Sequence, residues 1–268
     1  HGFPGVNTLF NAMLHHPDFN KVDWSHLRLC VGGGMAVQGA TARMWVEKTG
    51  CPICEGYGLT EASPVVTCNP VTSHEFTGAI GVPVSGTRVK LIDENGQEIL
   101  TAGTRGEIAV KGPQVMAGYW QRPDETAQAM TADGYLKTGD IGSMDERGYF
   151  SLLDRKKDMI LVSGFNVYPA EVEDVVSSMQ QVLECVAIGV PDADSGEIVK
   201  VFVVRKPGMV VTEEHIHAHC RNRLTSYKRP HVIEFRETLP QSTMGKFLRR
   251  MLREQETGCP DASVARHI

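Results

Sequence analysis

No stretch of the 268 residues approaches the roughly 18 consecutive apolar residues of a membrane-spanning helix. The start, His1-Gly2-Phe3-Pro4, lacks the charged and apolar blocks of a signal peptide, so a cytoplasmic location is expected. A cysteine framework is missing too. The seven cysteines (Cys30, Cys51, Cys54, Cys68, Cys185, Cys220, Cys259) are irregularly spaced and fit a reducing compartment. Cys51-Pro52-Ile53-Cys54 is a CxxC pair, but no second pair follows at zinc spacing, so a metal or redox role is not expected. Charge of one sign is not in excess: 27 basic against 32 acidic residues give a formal net charge of -5, which argues against nucleic acid as a partner. Locally, nine basic and two acidic residues lie between Arg221 and Arg253, either a patch for a phosphorylated ligand or a solvated face. No internal repeat is present.

With 41% hydrophobic residues, a chain of this length can bury a substantial core, and two domains of ordinary size are expected. The periodicity predicts a helix over 6–15, a short buried strand over 27–31 and a helix over 38–48, an α/β texture in which ligands collect at the carboxyl ends of strands. From Gly78 the texture turns to short extended runs, 89–92 and 107–110. Asn95-Gly96 marks a hairpin, and Asp145-Glu146-Arg147-Gly148 a turn before a strand over 149–153. A small β-barrel or β-rich subdomain fits 78–154. The charged stretch Arg155-Lys156-Lys157-Asp158 then opens an α+β module. It has a helix over 170–179, strands over 186–190, 199–204 and 232–235, and a helix capped by Thr212 that runs to Leu224. His215, His217 and His219 on that helix, two residues apart, spread over different faces rather than converging on a metal. The expected organisation is therefore 1–154 (an α/β segment over 1–77 and a β-rich segment over 78–154) followed by 155–268.

Four segments carry residue types suited to nucleotide chemistry. In Glu55-Gly56-Tyr57-Gly58-Leu59-Thr60-Glu61 the glycines let main chain approach a planar ligand. The Thr60 hydroxyl suits a phosphate oxygen, and the Glu61 carboxylate suits a magnesium ion that keeps most of its waters. Gly32-Gly33-Gly34 would let a base lie against main chain. Within Gly134-Tyr135-Leu136-Lys137-Thr138-Gly139-Asp140, Asp140 is a candidate acceptor for ribose hydroxyls or an ordinary turn acid. In Pro240-Gln241-Ser242-Thr243-Met244-Gly245-Lys246-Phe247-Leu248-Arg249, Lys246 is a mobile cation able to meet developing phosphoryl charge, or a solvated surface charge.

Together and in this order these segments resemble the adenylate-forming superfamily of acyl-CoA synthetases, adenylation domains and beetle luciferases, over essentially the whole chain. Within it, Gly112-Pro113-Gln114-Val115-Met116, Gly118-Tyr119-Trp120 and the stretch from Asp154 to Pro169 resemble bacterial long-chain fatty-acyl-CoA synthetases. The resemblance implies activation of a fatty acid by ATP to acyl-AMP and transfer to CoA, with magnesium. It implies that Gly34, Met35, Gly56 and Tyr57 lie around the adenine, Thr60 at phosphate, Glu61 on the metal, and Asp140 and Arg155 on the ribose. Lys246 matches the lysine at the α-phosphate, Lys157 a hinge, and Ser163, Gly164 and Phe165 the loop presented to CoA. It allows peripheral association with the inner face of the membrane and leaves the oligomeric state open.

Ala36 stands where the family usually has proline. The family's Ser/Thr/Gly-rich phosphate loop ending in Lys-Gly is not found, and His1 is no initiator methionine, so the expectation is a carboxyl-terminal portion of the enzyme, inactive by itself. Two rival readings are an adenylation domain that loads a carrier protein and a non-catalytic nucleotide-binding module. The 22 residues after Lys246 are too few for a carrier domain. Binding alone would not require the lysine.

Overall fold

The computed structural model describes residues 1–73, 76–242 and 245–257. They divide into two compact units, His1–Leu152 and Leu153–Ile268.

Unit one begins as α/β. Strands β1 (Gly2–Gly5), β2 (Leu29–Gly32) and β3 (Ile53–Gly58) run parallel, with α1 (Asn7–Leu14) and α2 (Gly39–Thr49) in the crossovers. In α1, Phe10 and Leu14 lie four apart on one buried face. Asn7, buried at its first position, accepts a 2.9 Å bond from the Gln38 amide and so ties α1 to the entry of α2. Trp45 of α2 is fully buried, with the rings of Phe10, Phe19 and Trp24 4.8 to 5.6 Å away. Gly50, with φ +70°, ends α2 in the left-handed conformation that glycine adopts without steric cost. Strands β4 (Val65–Cys68) and β5 (Val82–Pro83) then extend the sheet antiparallel from β3.

The β-rich part of unit one is an open sheet in the order β10-β9-β8-β6-β7. Its strands are β6 (Arg88–Ile92), β7 (Glu98–Ile99), β8 (Arg105–Lys111), β9 (Leu136–Met144) and β10 (Phe150–Arg155), with the short α3 (Pro123–Ala129) between β8 and β9. Asn95-Gly96 turns β6 into β7 as expected, Gly96 having φ +77°. Tyr57 of β3, Ala62 of the turn after it and Val66 of β4 pack with Leu91, Ile108, Val110 and Phe150 of the second sheet in one core. The end of β3 is thereby fixed against β6, β8 and β10.

Unit two is α+β. Its strands are β11 (Ile160–Val162), β12 (Phe165–Val167), β13 (Val182–Asp192), β14 (Gly196–Arg205) and β15 (Val232–Arg236), and its helices α4 (Pro169–Ser177), α5 (Glu213–Arg221) and α6 (Arg249–Thr257). The sheet order is β12-β11-β14-β13, with β15 parallel to β14. Alternation along β14 sorts the two faces. Val199, Val201 and Val203 join a core with Val172 and Val176 of α4 and Ile216 of α5, whereas Phe202 and Val204 join one with Leu252 of α6.

Thr212 caps α5 as its sequence predicts, with His215 rather than an acid completing the reciprocal bonds. The helix stops at Arg221, short of Leu224, because Arg223 and Leu224 both turn their amides onto the Cys220 carbonyl. His219 Nε2 sits 2.9 Å from Ser178 Oγ and 3.1 Å from the Val175 carbonyl, a packing role. Among the described residues no group of three or more His, Cys, Asp or Glu could hold a metal ion. Cys30, Cys51 and Cys54 are buried free thiols, and burial pushes Cys30 up to about 12 and raises Cys54 as well, which leaves Cys30 and Cys54 protonated. Cys259 lies outside the described residues.

Candidate functional site

The carboxyl ends of β2 and β3 form a strip of main chain with few side chains. A Cβ on Gly32 would meet Val37 at 2.5 Å and Ile53 at 2.8 Å, so only glycine lets β2 lie this close to its neighbours. A Cβ on Gly33 would stand 3.3 Å from the Gly56 carbonyl, and Gly34 has φ +76° and is exposed. Gly34 and Met35 thus follow β2 out of the sheet while Gly56 and Tyr57 lie in the adjacent β3, and Met35 is half-buried. Residues 55–58 of the glycine-bearing segment form the last two-thirds of β3. Gly58 is obligatory, since a Cβ would overlap the Pro64 carbonyl where β4 returns.

Tyr57 links this strip to the second sheet, its hydroxyl donating to Asp140 Oδ2 at 2.6 Å. Asp140 is not a turn acid: it lies within β9 and is 2% exposed. Gly139 beside it has φ +72° and donates its amide to Glu107 Oε1 at 3.1 Å. A carboxylate has acceptor positions for several donors, so the Tyr57 bond orients Asp140 without exhausting it.

Thr60 and Glu61 open the 3-10 turn after β3, and Thr60 is exposed. Glu61 is held from both ends. Its carbonyl accepts from the Met116 amide at 2.7 Å and its Oε1 from the Tyr119 hydroxyl at 3.0 Å. Burial, then the bond to Glu61, raises the Tyr119 hydroxyl, so it remains a donor. Tyr119 was noticed in the sequence only as a mark of the subfamily. Glu55 was also missed as an individual residue. It is 7% exposed, burial raises it to about 7, and the Val37 and Gly78 amides donate to it, so it clasps the loops on either side of β3. Its place at the head of the glycine segment was the available clue.

In unit two, Lys157 is exposed in the 3-10 turn Lys156–Asp158, and Arg155 immediately before it is exposed as well. Ser163 (φ +50°) and Gly164 (φ +82°) form the tip between β11 and β12, and the exposed Phe165 ring stacks on Tyr227 at 4.8 Å. Lys246 is exposed in a tight turn closed by Ser242 N–H to Lys246 O (2.8 Å) and Gly245 N–H to Ser242 O (2.9 Å). Thr243 and Met244 lie outside the described residues. The basic stretch from Arg221 to Arg253 is largely engaged with protein. Lys228 pairs with Glu171, Arg236 with Glu234, Arg249 with Glu173, and Arg253 with Asp158.

The geometry thus sets a glycine-bearing stretch of main chain at the ends of β2 and β3 beside a buried aspartate that a tyrosine hydroxyl orients. The chain belongs to the AMP-binding enzyme family: the AMP-binding enzyme model matches residues 1–120 and the AMP-binding enzyme C-terminal domain model residues 171–246. It is 54% identical to a long-chain-fatty-acid–CoA ligase of Yersinia pestis over 97% of this chain and 46% of that protein. It is 52% identical to a protein of the same name from Escherichia coli O6:H1, over 96% and 45%. The ATP-bound crystal structure of MatB from Rhodopseudomonas palustris matches at 38% identity and a TM-score of 0.88, covering 95% of this chain and 50% of that one. The chain thus spans about half the length of the curated relatives it matches.

Proposed function

We propose that the chain supplies the carboxyl-terminal part of an ATP-dependent, AMP-forming synthetase that activates a long-chain fatty acid and passes it to CoA. The observation that carries the reading is the 2.6 Å Tyr57–Asp140 bond, which fixes a buried carboxylate beside a strip of main chain with few side chains. A flat base would lie along Gly34, Met35, Gly56 and Tyr57, and the ribose hydroxyls would bond Asp140 and Arg155. The names of the 52–54% identical relatives support the fatty-acid and CoA assignment.

In the first half-reaction the fatty-acid carboxylate attacks the α-phosphate of ATP, and pyrophosphate leaves. Thr60 would hold a phosphate oxygen, and the Lys246 ammonium would stabilise the charge that develops at the α-phosphate. Magnesium enters with the substrate ATP. The Glu61 carboxylate would suit an ion that takes most of its ligands from phosphate and water. In the second half-reaction the CoA thiol attacks the acyl carbonyl and AMP departs. A turn about Lys157 between the two steps would withdraw Lys246 and present Ser163, Gly164 and Phe165 to CoA. No helix among the described residues is long and apolar enough to cross a membrane.

The test is Lys246→Ala in the full-length enzyme. Pyrophosphate release should fall about 10²-fold, the cost of one donor to a developing oxyanion, while thioester formation from supplied acyl-adenylate persists. Undiminished pyrophosphate release would refute the role given to Lys246.

A further inference from the structure

Three residues after Lys246 the chain enters α6, a helix bound to unit two chiefly by charge. Leu252 is its fully buried apolar anchor. Arg249 Nη2 donates to both carboxylate oxygens of Glu173 on α4, at 2.7 and 2.6 Å, and Glu173 Oε1 also accepts the Ala187 amide at 2.8 Å. Arg253 is four residues on and therefore on the same face. Its guanidinium donates to Asp158 Oδ1 at 2.9 Å and to the Asp158 carbonyl at 3.2 Å. Glu256 reaches the largely buried Lys200 of β14 at 2.6 Å. Asp158 closes the 3-10 turn that contains Lys157. Just before that turn, Asp154 Oδ2 accepts the Ala170 amide at the start of α4, at 2.9 Å.

Buried ion pairs of this kind add little net stability, but breaking one leaves an uncompensated charge. A guanidinium fork also tolerates little angular displacement. The contacts from Asp158 through Arg253 and Arg249 to Glu173 therefore do not stretch gradually. We infer that Arg253, backed by Arg249, is a positioning residue that locks the Lys157 turn and the Lys246 loop into one rigid body. Rotation of the backbone at Lys157 then carries the lysine with it without slack. The inference rests on the roles proposed above for Lys157 and Lys246.

The experiment compares Arg253→Met, Arg253→Lys and Lys246→Ala in the full-length enzyme, with both half-reactions measured and hydrogen exchange followed peptide by peptide. Arg253→Met should lower pyrophosphate release about tenfold, as expected for a misplaced catalytic group, and leave transfer from supplied acyl-adenylate to CoA within about twofold. Arg253→Lys, which keeps the charge but not the fork, should recover part of the loss. In Arg253→Met, exchange should rise together in Lys156–Asp158 and in α6 while β13 stays protected. Unchanged pyrophosphate release in Arg253→Met, alongside a large loss in Lys246→Ala, would overturn the inference and spare the proposed function. Exchange that rises in α6 alone would also overturn it. If Lys246→Ala is itself without effect, the proposed role of Lys246 fails, and the paired exchange response still decides whether the turn and α6 form one body.

Discussion

At the end of β3 the chain positions its candidate residues with main chain, glycine and two tyrosine hydroxyls, whereas around α6 it uses arginines paired with acids. A ligand base that lies flat needs side chains out of the way, and a rigid backbone supplies that at low cost. A lysine on an exposed turn needs the reverse, an anchor strong enough to fix a loop that makes few apolar contacts of its own. The first region should therefore be sensitive to added volume and insensitive to salt, and the second sensitive to loss of charge.

The largest effect is expected in the second region. Glu173→Ala should cost about 3–5 kcal/mol, because Arg249 would be left buried without its partner, and urea unfolding would measure it. A loss under about 1 kcal/mol would mean that Arg249 finds solvent, and the contrast with β3 would weaken. Next, Gly58→Ala should cost about 3 kcal/mol through overlap with the Pro64 carbonyl, and this loss should not change with added salt. A salt-dependent loss would erase the distinction between the regions.

Glu55, a buried carboxyl of the first region, sharpens the comparison because it titrates near neutrality. Its ordinary value of 4.5 rises to about 7 in the folded state, burial being the main cause. The folded state therefore holds the proton through this window, so Glu55's contribution to stability is full below pH 4.5 and is lost as pH rises through 7. Glu55→Gln should flatten the profile between those values by at most about 1.4 kcal/mol per pH unit. A wild-type profile as flat as the variant's would show that the Val37 and Gly78 amides already stabilise the carboxylate fully. The smallest effect is that of Thr212→Ala, about 1 kcal/mol from loss of the α5 cap. Thermal melting would detect it.

Much of the frame was legible because its signals are local. Asn95-Gly96 announces its turn, Thr212 its cap, and the valines of β14 their alternation. The candidate site was legible as residue types in order but not as structure. Asp140 read as a ribose acceptor or an ordinary turn acid, and neither it nor Gly56 read as part of a strand, yet both lie inside strands, because tertiary pairing overrode the weak β propensity of glycine and aspartate. Helix α6 was unread for the opposite reason. Arg-Arg-Met-Leu-Arg-Glu-Gln-Glu-Thr offers almost no apolar stripe, and what holds it, Glu173 and Asp158, lies 76 and 95 residues away in sequence. The spacing of Arg249 and Arg253 was the available hint, since it places both on one face.

The proposed synthesis of acyl-CoA through acyl-AMP is tested most directly by its products. The full-length enzyme, given ATP, magnesium, palmitate and CoA, should yield AMP, pyrophosphate and palmitoyl-CoA in equal amounts, with acyl-AMP accumulating when CoA is withheld. Formation of ADP and phosphate, or of palmitoyl-CoA without AMP, would contradict the account.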